Sequence, residues 1–388
     1  MIMIDIINNE KAPRRLGLYI HIPFCRTKCL YCDFCSFVSR DEDERERYVE
    51  ALLQELKARA TKEYLVDTVY FGGGTPSLLS SEQIGKIVDS VRDNFVLEKD
   101  AEITLECNPM THLEDGRVYF SALRELGVNR LSLGIQSAID TELKLIGRRH
   151  TFEEARHTLA DAREAGFDNI SVDLMFGIPS QTLKTLEISL DEFIGLGAEH
   201  ISIYSLQLEE GTPLHKMQDR YDMADGDEVA DMFSLINQRM RDAGYIHYEI
   251  SNFAKEGKEA RHNSKYWRLE EYLGLGLAAH SDFMGERSEN TCDLSAYLDG
   301  NYYAGGSKIE SKEREAEFIM LGLRTREGIS KSEFFARFGI DFDEKYGKKL
   351  SEREKLSFIS ENGDRFALNE RGFQVSNMIL SLILDFDY

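Results

Sequence analysis

Cysteine is scarce in this sequence, six residues in 388, and four of the six crowd between positions 25 and 35. A secreted domain stapled by disulfides spreads its cysteines, and a chain of this length buries a core without covalent staples. Crowded thiols in a reducing compartment point instead to metal or redox chemistry. Proline (6) and glycine (29) are too few for a fibrous or low-complexity chain, so a globular protein is expected. Basic residues are also short: 47 lysines and arginines face 69 acids, and the formal charge of −22 repels phosphate backbones and anionic lipid. Nucleic acid is therefore not expected as a partner. No apolar run reaches the roughly 20 residues of a membrane span, and the opening MIMIDIINNEKAPRR lacks a small-residue cleavage site. The expected location is cytoplasmic.

What is present is an alternation of short β-rich runs and amphipathic stretches, the pattern of βα units around a parallel sheet. Six strands are expected: LGLYIHI (16–22), TVYF (68–71), AEITLE (101–106), RLSLGI (130–135), NISVDLMF (169–176) and HISIYSL (200–206). Six units predict an α/β fold with a curved, partial barrel. In the first intervening helix Ser39 is the expected cap, acids 41–44 favour the positive end, and Tyr48, Leu52 and Leu56 share one face. After position 285 the pattern changes to helical stretches at 313–323, 331–338 and 342–355. A hairpin around Asn362-Gly363 and a last helix at 370–384 follow. The expectation is a barrel domain over 1–285 and a smaller helical, winged-helix-like domain over 286–388, which the acidity of the chain favours as a lid.

The segment Tyr19-Ile-His-Ile-Pro-Phe-Cys25-Arg-Thr-Lys-Cys29-Leu-Tyr-Cys32 follows the first strand, where parallel α/β sheets place their chemistry. Three thiolates hold three irons of a 4Fe-4S cluster and leave the fourth open, whereas closed clusters use four cysteines. Structural zinc is the alternative, since Cys35 offers a fourth thiolate. Cys35 either closes a site or lines a cavity, and the sequence leaves both open. Cys107 and Cys292 read as small buried hydrophobes.

The cysteine spacing resembles the radical S-adenosylmethionine (SAM) superfamily, in which SAM fills the open iron site. Polar or glycine motifs end the successive strands: Gly72-Gly73-Gly74-Thr75, Glu106, Gln136 with Arg148 beyond it, and Asp173. Their order resembles the anaerobic coproporphyrinogen III oxidase family of that superfamily. The resemblance implies that Cys25, Cys29 and Cys32 bind the cluster and that Tyr19, Tyr31, Gly73, Gly74, Thr75, Glu106, Gln136, Arg148 and Asp173 form the SAM site.

Two departures from the oxidases matter. Phe34 stands where they carry a further cysteine, and no counterpart of their longer N-terminal extension is expected. Cys32-Asp33-Phe34 and Arg261-His262-Asn263-Ser264-Lys265-Tyr266-Trp267 are instead similar to the HemW branch, described as haem chaperones. That resemblance implies a haem site at His262, Asn263, Tyr266 and Trp267, with His262 the contact to iron. In YLGLGLAAHSDF, small residues suit close approach of a ligand and His280 is a second candidate. His21 reads as scaffold, and His112, His150, His157, His200, His215 and His247 as packing or surface residues. The function so implied is a carrier that passes haem to an acceptor haemoprotein, and the resemblance points to a membrane-associated respiratory one. The alternative is radical decarboxylation of coproporphyrinogen propionates.

Overall fold

The computed structural model describes residues 13–384 apart from 110, 113, 355 and 356. The sequence-based readings of residues 1–12 and of a helix end at Lys355 lie outside them.

Six strands run parallel in chain order: β1 (Arg14–Ile22), β2 (Tyr64–Gly73), β3 (Val96–Cys107), β4 (Arg130–Gln136), β5 (Ile170–Phe176) and β6 (His200–Ser205). The six expected strands are these six. Helices cover one face, and side-chain alternation explains the arrangement. Leu131, Leu133 and Ile135 of β4, like Ile170, Val172 and Leu174 of β5, enter the apolar core. The alternate residues Arg130, Ser132, Gln136 and Ser171 are buried on the other face, the polar lumen of the partial barrel. Period-two alternation thus sorts each strand into a packing face and a chemical face.

The sheet extends past the six units to twelve strands. The further strands are β7 (Ile246–Glu249), β8 (Asn252–Ala254), β9 (Tyr272–Leu275), β10 (His280–Phe283), β11 (Glu286–Asn290) and β12 (Tyr303–Lys308), in the order β12-β11-β10-β9-β1-β2-β3-β4-β5-β6-β8-β7. β9 joins β1 in parallel, and β10 to β12 continue antiparallel. The expected domain boundary at 285 therefore falls between two paired strands. A second hydrophobic cluster built on Phe318, Phe334, Phe342, Phe366 and Ile379 belongs to the helical region that starts at Ser311. Asp282 of β10 ties that region to the sheet, accepting from Arg314 Nη1 at 2.5 Å and Nη2 at 2.7 Å.

Three local expectations change. The first helix, Glu42–Ala58, is capped by Asp41, which accepts from the amide of Asp43; the buried Ser39 hydroxyl bonds the Asp41 carbonyl instead. Asn362 ends its strand and pairs with Arg365, so the hairpin turn is Gly363-Asp364, with Gly363 at φ +60°. The last helix is two, Glu370–Gln374 and Ser376–Leu384, broken at Val375. Among the described residues no helix is long and apolar enough to cross a membrane.

Candidate functional site

The loop after β1 carries Cys25, Cys29 and Cys32 to the mouth of a cavity of about 470 Å³, within the usual range for small-molecule sites. Tyr31, Gly73, Gly74 and Thr75 line it, as do Glu106, Gln136, Arg148 and Asp173. Asp173 points in from the middle of β5 and the others come from strand ends or the loops beyond them, so six separate stretches of sequence converge. The Thr75 hydroxyl lies 3.7 Å from Cys25 Sγ, and Arg148 Nη1 lies 3.4 Å from Cys29 Sγ. Burial pushes the Cys25 and Cys32 thiols up, so taking up metal there releases protons.

The inner wall is held by its own hydrogen bonds. Tyr70 donates to Glu106 Oε1 at 2.7 Å and the Gly73 amide to Oε2 at 3.2 Å. Burial pushes the Glu106 carboxyl up to about 7 and the Asp173 carboxyl up to about 6. Gln136, at φ +80°, accepts from the Tyr204 hydroxyl at 2.7 Å. Arg148 also donates to the Gly134 carbonyl, yet its Nε is buried without a partner. Gly73 sits at φ +111°, and a Cβ there would fall 2.6 Å from the His21 ring. The glycine turn thus admits β1 and frees its amide for Glu106.

A cluster holds its irons at separate corners and accepts thiolates from around its body. With Cys35 bonded to Cys292, three free thiols of the cysteine loop line the cavity, the number that leaves one iron of a four-iron cluster open and one short of a closed four-thiolate zinc site. The buried Arg148 Nε and the carboxylates of Glu106 and Asp173 fit a ligand bearing a carboxylate and hydroxyls.

Two residues stand apart from this cavity. Tyr19 does not line this cavity; its hydroxyl is 3.0 Å from His21 Nδ1, and its ring faces a neighbouring aromatic pocket. Cys35 is bonded to Cys292, 257 residues away, so neither is a free ligand or a buried hydrophobe.

The His262 segment forms a short helix, Arg261–Trp267, across the foot of the barrel. Glu102 of β3 accepts from the amides of Arg261 at 3.1 Å and His262 at 2.9 Å, and Lys265 meets Asp67 of β2 at 2.8 Å. His262 is wholly buried; its Nδ1 is 2.9 Å from the Thr68 hydroxyl and its Nε2 2.8 Å from that of Tyr266. Both ring nitrogens are thus engaged within the chain. Burial, with the charges of Lys265 and Arg130, pushes the imidazole pKa down to about 3. Its neighbours do not share one site. Asn263 lines a polar lumen cavity, Tyr266 the aromatic pocket, and Trp267 a groove toward the C-terminal helices. Close approach in the following segment is to the chain itself: a Cβ at Gly274 would meet the His280 carbonyl at 2.1 Å.

The sequence reading missed Arg130. This guanidinium is 2% exposed, lines the polar cavity with Glu106, Asp173 and Asn263, and has an unpartnered Nε. Its signal was the alternation Arg-Ser-Gly-Gln along one face of β4.

Residues 19–193 match the Radical SAM superfamily and residues 309–375 the HemN C-terminal domain. A protein named heme chaperone HemW from Bacillus subtilis is 36% identical over 94% of this chain and 98% of its own length. The chain belongs to the HemW family. The HemW protein of Escherichia coli is 34% identical over 95% of this chain and 98% of its own. Coproporphyrinogen III oxidase (HemN) of Escherichia coli, described as a radical SAM enzyme, shares the fold, with a TM-score of 0.83 at 23% identity over 96% of this chain and 91% of its own. Membership in the radical SAM family implies a 4Fe-4S cluster and SAM.

Proposed function

We propose that this HemW-family chain is a haem carrier: Cys25, Cys29 and Cys32 hold a 4Fe-4S cluster, SAM occupies the adjoining cavity, and one haem is bound for delivery to an acceptor haemoprotein. The observation that carries the reading is the convergence of three thiols with Glu106, Gln136, Arg148 and Asp173 on one cavity, in a chain similar over nearly its whole length to proteins named heme chaperones. When bound, such a cluster supplies an open iron for the amino and carboxylate groups of SAM and the electron for reductive chemistry.

The chain's own residues position and shield. Glu106, fixed by Tyr70 and the Gly73 amide, accepts from ribose hydroxyls. Arg148, held between the cluster loop and β4, presents its free Nε to the SAM carboxylate. Thr75 and Arg148 stand over two of the thiolates and steady their charge.

Anaerobic reconstitution with iron and sulfide, followed by haemin titration and by incubation with coproporphyrinogen III, SAM and reductant, tests the proposal. Saturable uptake of one haem per chain without decarboxylation is expected. Multiple-turnover decarboxylation without haem uptake would replace the carrier reading with the oxidase one.

A further inference from the structure

We propose that the outer side of the cysteine loop carries a further small-molecule site, which takes a diphosphate-bearing anion and is distinct from the places of cluster, SAM and haem. Behind the loop lies a cavity of about 520 Å³, within the usual range for small-molecule sites. Arg26, Arg40, Arg45, Arg148 and Arg149 line it together with His112, and among the described residues no carboxylate does. The chain holds 69 acids against 47 lysines and arginines, so a wall of arginines without an acid runs against its composition.

Elsewhere in the fold arginines meet acids, as Arg163 meets Glu199 and Arg314 meets Asp282. Within this wall Arg26 donates to the Thr111 carbonyl at 3.1 Å, and Arg148 is turned to Cys29 and the Gly134 carbonyl. Arg40, Arg45 and Arg149 differ: among the described residues none of the three has a side-chain hydrogen bond or an ion pair. Arg45 stands near the start of the helix Glu42–Ala58, and its Nε is closed to solvent without a partner. That is a costly state for a cation until an acceptor arrives. A cation near the positive end of a helix does not stabilise the helix either, so its placement serves something outside it.

The ligand class follows from the donors. A guanidinium fork matches phosphoryl oxygens, and one phosphoryl group carries about −1.5 to −2, so three unpartnered guanidiniums suit more than one such group. The wall is also built in advance. The Leu30 amide donates to the Ile146 carbonyl at 3.0 Å, and a Cβ at Gly147, which sits at φ +81°, would fall 2.8 Å from the Leu30 side chain. This glycine turn brings Arg148 and Arg149 against the back of the cysteine loop. Cys29, Thr75 and Arg148 line both this cavity and the one assigned to SAM, so the two ligands would lie on opposite sides of one loop.

The test uses full-length, anaerobically reconstituted protein with SAM in excess, titrated by calorimetry with pyrophosphate and, in parallel, with ADP. The unmodified chain is compared with Arg40→Met, Arg45→Met and Arg149→Met, and with Arg117→Met, an exposed arginine outside the cavity. One probe per chain is expected, with affinity lower by about tenfold or more in each cavity variant and unchanged in Arg117→Met. Arg40 and Arg149 are exposed, so their variants fold, and their SAM affinity stays that of the unmodified chain. Tighter binding of ADP marks a diphosphate that bears an organic group, and equal or tighter binding of pyrophosphate marks the inorganic ion; both support the site. Absence of saturable binding of either probe, or affinity unaltered in all three cavity variants, would overturn it. Haem uptake is not part of this readout, so the carrier reading stands or falls separately.

Discussion

Arg148 reaches Cys29: its Nη1 lies 3.4 Å from the thiol sulfur, across 119 residues of sequence. One cation thus links the cysteine loop to the loop after β4, while its unpartnered Nε remains available to an anion. Replacing it removes both services. Arg148→Met is expected to weaken SAM binding by about tenfold or more, the scale of a lost charge-assisted pair. Iron content should fall far less than SAM affinity. Equilibrium SAM binding and iron analysis on the same sample check this.

SAM affinity should depend on pH in one direction. Burial raises Glu106 to about 7 and Asp173 to about 6, and the ionised carboxylates are the better acceptors for ribose hydroxyls. Affinity is therefore expected to rise as pH goes from about 6 to about 8, and Glu106→Gln should flatten the rise. A series of binding isotherms across that range decides it.

Cys35 belongs to a covalent link, and the cluster loop does not need it. Cys35→Ser and Cys292→Ser are expected to retain the iron and sulfide content of the unmodified protein, while serine at Cys25, Cys29 or Cys32 abolishes the cluster. Under oxidising conditions either link variant should unfold more easily, by roughly 2–4 kcal/mol in chemical denaturation.

His262 anchors the foot of the barrel. His262→Ala removes bonds to Thr68 and Tyr266 and opens a cavity, so a loss of roughly 2–4 kcal/mol is expected at neutral pH. Its folded-state pKa, about 3, lies below the ordinary histidine value near 6.5. Its contribution is therefore present above about pH 6.5 and lost as pH falls toward 3. His150 and His247, each lowered to about 4 by burial first of all, act in the same direction. Denaturation curves from pH 7 down to about 4 should show stability falling, less steeply in His262→Ala.

The parts legible in the sequence were those with a local signal. The six parallel strands announced themselves by apolar runs, and the cysteine loop by its spacing. Glu106, Gln136, Arg148 and Asp173 stood out as polar residues in or just beyond apolar strands, and all four line one cavity. What stayed hidden depends on partners far away in the chain. Nothing beside His262 in the sequence announces that its Nδ1 meets Thr68, 194 residues earlier. Cys35 and Cys292 carry no mark of pairing across 257 residues. β10 to β12 are short and partly polar, so they read as an end to the domain when they are its edge. Tyr19 sits in the cysteine motif, yet its place on β1 turns it toward the aromatic pocket.

The central claim is that Cys25, Cys29 and Cys32 hold a cluster with one iron open to SAM. EPR of the reduced, reconstituted protein with and without SAM, for the unmodified chain and Cys35→Ser, tests it most directly. The account predicts a cluster signal in both proteins that changes on addition of SAM. A signal that ignores SAM in the unmodified chain, or one that vanishes in Cys35→Ser, would contradict it.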